Sequence, residues 1–114
     1  MRKTDKKLEN QLRLILTDVC ETALKEIHGF QWLTHLVNYA HFPKSLKVVC
    51  IFDTNEHLAD FLSEVTSRKG LESLMQKKLT EISINVKNIT EQIAYDTEEN
   101  CEREHNGNWT VRLG

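Results

Sequence analysis

At 114 residues the chain is long enough for one domain with a single hydrophobic core and too short for two. Charged side chains make up 28% and hydrophobic ones 39%, and 15 basic against 17 acidic residues leave a net charge of −2. This is the composition of an ordinary globular protein, which argues against disorder and against any overall pull toward nucleic acid. No apolar run approaches the roughly 18 residues of a membrane span. The opening Met1-Arg2-Lys3-Thr4-Asp5-Lys6-Lys7 lacks the apolar centre of a signal peptide, so a cytoplasmic protein with no membrane partner is expected. Cys20, Cys50 and Cys101 are widely spaced, without Cys-x-x-Cys, and imply neither a disulfide framework nor a zinc site.

From Asp5 to Ile27, Leu8, Leu12, Ile15, Leu16, Val19, Ala23, Leu24 and Ile27 form the i, i+3, i+4 stripe of an amphipathic helix. Gly29 supplies its left-handed stop, with His28 in the last turn. Arg2, Lys3, Lys6 and Lys7 crowd the helix entrance; they read as a solvated terminus, with a phosphate-touching arm as the functional alternative. Phe30, Trp32, Thr34 and Leu36 alternate as on a strand, whereas Trp32, Leu33, Leu36, Val37 and Ala40 would suit a helix. Gly29 and Pro43 bracket the segment too tightly for another long helix, so a strand is expected over Phe30 to Tyr39. It should pair antiparallel with a central strand at Leu46 to Phe52, whose apolar run is rich in β-branched residues.

Thr54 or Asn55 then caps a second helix with Leu58, Phe61, Leu62 and Val65 inward, interrupted at Gly70 and resumed through Leu71, Leu74 and Met75 to about Lys78. Ile82, Ile84 and Val86 alternate as a half-buried strand, and Gln92 to Tyr95 reads as another. Asp96 or Thr97 caps a short acidic helix through His105, Asn106-Gly107 turns the chain, and Trp109, Val111 and Leu113 alternate as a last strand.

The glycines at 29, 70, 107 and 114 cannot build a phosphate-cradling loop, and there is no Gly-x-Ser-x-Gly elbow. Cys50 lies within an apolar run and reads as a packing residue rather than a nucleophile. Glu98, Glu102 and His105 would share a helical face, but the single Glu-x-x-His lacks the second copy that a dinuclear carboxylate site needs. Asp53, Glu56 and His57 sit at a strand-to-helix junction and are the candidate ligand site, though strand closure and helix capping alone account for a polar cluster there. Arg68, Lys69, Lys77, Lys78 and Lys87 are the candidate nucleic-acid contacts. Laid on a helix-turn-helix with Gly70 as the turn glycine, the small position falls on Thr66 and the locking apolar position on Gln76, which does not match the motif.

At Phe30-Gln31-Trp32-Leu33-Thr34-His35-Leu36-Val37, at Phe52-Asp53-Thr54-Asn55 and at Tyr95-Asp96-Thr97-Glu98-Glu99-Asn100-Cys101, the chain resembles short uncharacterised bacterial proteins sometimes labelled Fis-family transcriptional regulators. The resemblance implies a regulatory role. True Fis proteins are helical dimers ending in a helix-turn-helix, whereas this chain reads as mixed with an acidic last segment, so it carries over no DNA-contacting residue.

The expected fold is therefore one α+β domain over residues 1–114. A long N-terminal amphipathic helix and a second helical segment pack on a mostly antiparallel sheet of about four to five strands. The expected function is a non-enzymatic binding or regulatory domain, without cofactor or metal, that associates with another protein or with itself as a homodimer. Phe30, Trp32, Tyr39, Phe42 and Trp109 supply aromatic surface for it. The alternative is a DNA-binding regulator using the basic region 68–87. A metal protein or enzyme built on Asp53, His57 or Glu102 and His105 comes last.

Overall fold

The computed structural model describes residues 2–114. Among them the chain forms six α-helices, a 3-10 turn and one sheet of three strands. The elements are α1 (Lys3–Glu26), β1 (Phe30–Leu36), the 3-10 turn Tyr39–His41, β2 (Lys47–Phe52), α2 (Asn55–Ser63), α3 (Val65–Glu81), α4 (Ile89–Gln92), β3 (Ile93–Thr97), α5 (Glu98–His105) and α6 (Trp109–Leu113). No helix among these residues is long and apolar enough to cross a membrane.

The apolar run of β2 takes the middle of the sheet, in the order β1-β2-β3, and every residue from Val48 to Phe52 is buried. On one face Val48, Cys50 and Phe52 meet the α1 stripe, Leu12, Ile15, Leu16, Val19 and Ala23, and the α3 residues Leu71, Met75 and Leu79. Burying a leucine-sized side chain stabilises by roughly 1.5–3 kcal/mol, so this two-helix layer is the chief support of the sheet. The opposite face carries Trp32, Thr34, Val49, Ile51, Ala94 and Asp96 by register; the short α5 follows β3, and α6 reaches from Asp96 of β3, through Arg112, to Trp32 of β1, through Trp109. β1 pairs with β2 antiparallel, with a register shift between Phe30 and Trp32, while β3 runs parallel to β2. The crossover through α2, α3 and α4 is what lets the chain return in the same direction.

Several expectations give way. The sheet has three strands rather than four to five, and it is mixed rather than mostly antiparallel. Ile82 to Val86 does bury Ile84, but it finds no neighbouring strand: the Ile84 N–H turns back to the Leu79 carbonyl, and Ser83 takes φ 62. Trp109 to Leu113 is a helix because the Asn108 side chain accepts from the Val111 N–H, which leaves Val111 61% exposed where a strand would have buried it. The helical break lies at Glu64, not at Gly70, which sits inside an unbroken α3 that runs on to Glu81. The first strand stops at Leu36, short of Tyr39.

Candidate functional site

Two strand-to-helix junctions lie side by side at the carboxyl ends of the parallel pair, and the same dipeptide builds both. Asp53 Oδ1 accepts from the Thr54 N–H at 2.7 Å, and Asp96 Oδ1 from the Thr97 N–H at 2.9 Å. Each threonine then caps the following helix, Thr54 Oγ1 accepting from the His57 N–H and Thr97 Oγ1 from the Asn100 N–H. An Asp-Thr pair suits this place because the carboxylate closes the turn while the hydroxyl satisfies an orphan helix donor. Parallel sheets commonly bind ligands just outside such carboxyl ends.

At the first junction the same Asp53 oxygen also meets His57, whose Nδ1 stands 2.7 Å from Asp53 Oδ1. Burial alone would raise the Asp53 carboxyl, but the bonds from His57 and from the Thr54 N–H outweigh it and hold the group below the ordinary aspartate value. The carboxylate fixes Nδ1 of His57 as a donor, so in the neutral ring Nε2 is the acceptor. That Nε2 lies 3.2 Å from Nε2 of His28, on the turn between α1 and β1. Gly29 makes the approach possible: it has φ +86, and a Cβ there would stand 2.6 Å from the His57 Cβ and 2.9 Å from Asp53 Oδ1. The two histidines open on a pocket of about 260 Å³ that Glu26, Asp60 and Glu64 also line.

The structure thus joins Asp53 and His57 but leaves Glu56 exposed in the first turn of α2, outside the residues lining the pocket. His28, read from the sequence only as a last-turn residue, is the missed member. Its one sequence signal is the glycine after it, which turns the chain back along β2.

The second junction is closed by salt bridges. Arg112 of α6 binds Asp96 and Glu104, and both Arg112 and Asp96 keep about one sixth of their side-chain surface exposed (15% and 16%). Glu98 Oε1 accepts both indole N–H groups, from Trp32 and from Trp109, each at 2.9 Å, and the two rings meet edge to face. These two aromatics and Glu98 are therefore structural. The helix carrying Glu98, Glu102 and His105 forms as expected, yet no group of three or more His, Cys, Asp or Glu among the described residues is placed to hold a metal ion.

A third polar cluster pins the far end of α1 to β1. Glu9 accepts from the Tyr39 hydroxyl at 2.6 Å and from Arg13 at 3.2 Å, and its carboxylate lies 2.8 Å from His35 Nε2. Beside it an open groove of about 430 Å³ runs between α1 and the outer edge of β1, lined by Leu16, Thr17, Cys20, Leu33 and Thr34 among others. β1 is an end strand of the sheet, with partners on the β2 side.

The candidate basic residues stand in different surroundings. Lys69 and Lys77 share one shallow groove on α3. Lys78 turns to Asp18 and Glu81, the Arg68 Nε is buried, and Lys87 lines a different groove with Lys44. Comparison of the chain with protein-family models, with curated proteins and with solved structures finds no match.

Proposed function

We propose that the protein is a non-enzymatic association domain that pairs with a second copy of itself through the outer edge of β1. The observation that carries this reading is the composition of that edge. Phe30–Leu36 is a seven-residue end strand with no Lys, Arg, Asp, Glu or Pro, and its one histidine is tied to Glu9. Monomeric sheets ordinarily blunt their edges with charge, proline or a bulge, and here the register shift at Phe30 and Trp32 interrupts only one end of the strand. The other edge, β3, is shorter and carries the ion-paired Asp96.

Antiparallel pairing of β1 with its copy about a twofold axis satisfies the outward backbone groups of both strands and makes one continuous sheet. Leu36, 41% exposed, supplies apolar area, and the groove along the same line sets Leu16, Cys20 and Leu33 beside the charged Arg13 and Glu21. The DNA-binding alternative draws support only from the groove that Lys69 and Lys77 share.

Sedimentation velocity from micromolar to millimolar protein tests the reading. A concentration-dependent dimer is expected. The double variant Q31K/L36K, at two exposed positions, sets like charges across the pairing strands and should be monomeric with an unchanged circular-dichroism spectrum. A strict monomer at the highest concentration refutes the proposal.

A further inference from the structure

We propose that His28 and His57 form an exchangeable site for a divalent transition-metal ion, with two imidazole nitrogens as protein ligands and water in the remaining positions.

The argument begins with His57. Asp53 holds its Nδ1 at 2.7 Å, the arrangement by which a carboxylate orients a metal-binding histidine. Nε2 therefore faces His28 in a fixed direction. Nε2 of His28 stands 3.2 Å away, close to the roughly 3.3 Å that separates two nitrogen ligands of one tetrahedral zinc ion. The two Nε2 atoms share an N–H···N hydrogen bond, whose proton an ion would replace. The ring centroids are 4.3 Å apart with planes at 68°, closer than the roughly 5.2 Å at which one tetrahedral ion would hold two imidazoles, so one ring has to rotate for both nitrogens to reach it. The exposed His28 can turn to meet an ion held by the anchored His57.

The surroundings favour a cation. Glu26, Asp60 and Glu64 line the pocket and no Lys or Arg does, so the field disfavours an anionic ligand and attracts a positive one. Two imidazoles select the borderline ions, Zn2+, Ni2+ and Cu2+, over Mg2+ or Ca2+, which demand oxygen ligands. With two protein ligands the site falls short of the closed four-ligand set of structural zinc, so binding is reversible and leaves open coordination positions. Because imidazole must be unprotonated to ligate, affinity falls as the solution is acidified.

The test uses the full-length, tag-free chain and Zn2+ alone, followed by NMR of the histidine ring protons and by calorimetry. Saturable one-to-one binding is expected, with the ring signals of His28 and His57 shifting and those of His35, His41 and His105 unmoved. H28Q and H57Q should each weaken binding by at least tenfold. D53N, which keeps an acceptor for Nδ1 but loses the charge, should weaken it by about 10–100-fold. Mg2+ should leave the spectrum unchanged. Thermal melts show which variants remain folded, and H28Q, at an exposed position, is the decisive one if H57Q unfolds. The proposal is overturned if Zn2+ fails to bind, or if it binds equally well to folded H28Q.

Discussion

Thr97 Oγ1 donates to Asn55 Oδ1 at 2.7 Å, joining the cap of α5 to the first residue of α2. Asn55 Nδ2 reaches on to Asn100 Oδ1, and Glu99 accepts from the Asn55 N–H while its own N–H binds the Asp53 carbonyl. The two helix N-termini are therefore one hydrogen-bonded unit, and Thr97 is fully buried within it. Asp53 is held by this unit on one side and by Gly29 on the other, which keeps His57 in register with His28.

Two glycines should respond oppositely to the same substitution. Gly29→Ala meets both a left-handed backbone and contacts of 2.6 and 2.9 Å, so a loss of at least 1–2 kcal/mol, roughly, is expected. Gly70 is exposed in mid-helix and a Cβ there meets nothing, so Gly70→Ala should add roughly 0.5–1 kcal/mol. Urea unfolding of both variants checks the pair.

Acid should destabilise the fold through named carboxylates. Burial raises Glu9, but its bonds to Tyr39 and His35 outweigh that and lower it below the ordinary value; Asp96 is lowered in the same way by Arg112. A group whose folded pKa is depressed contributes stability above its unfolded value, and that contribution disappears as pH falls through the folded one. Stability should thus be flat at neutral pH and decline from about pH 4 downward. Glu9→Gln should lose about 1–2 kcal/mol at pH 7 and show a shallower acid decline in unfolding curves.

The three cysteines should separate by reactivity. Burial pushes the Cys50 thiol up to about 12 and raises Cys101 as well, and both side chains are fully buried. Cys20 lines the open groove along α1. A disulfide reagent should modify one thiol per native chain, mapped to Cys20 by mass spectrometry, and all three in denaturant.

Any duplex DNA binding through α3 should depend only weakly on salt. On α3, Lys69 and Lys77 share a groove, and two phosphate contacts give a log–log salt slope of about −2. A markedly steeper slope in fluorescence titrations would mean that other basic residues gather on the DNA.

The sequence by itself determined the elements whose signals are local. The stripe from Leu8 to Ala23 and the positive-φ Gly29 delimit α1, and the apolar run to Phe52 makes the buried strand. The helix caps were legible to within one residue, Thr54 or Asn55 and Asp96 or Thr97, because a cap is decided within three residues, and the threonine takes the place in both. Alternation was a poorer guide. Ile82, Ile84 and Val86 had the period of a strand, but a strand needs an edge to pair with, and none lies beside this segment. At Trp109 the Asn108 cap overrode the same period. Only the tertiary structure decided that β3 runs parallel to β2, and only it brought His28 to His57 across 29 residues of chain. Such contacts depend on how the packed layers orient the chain, and no local period or cap encodes that.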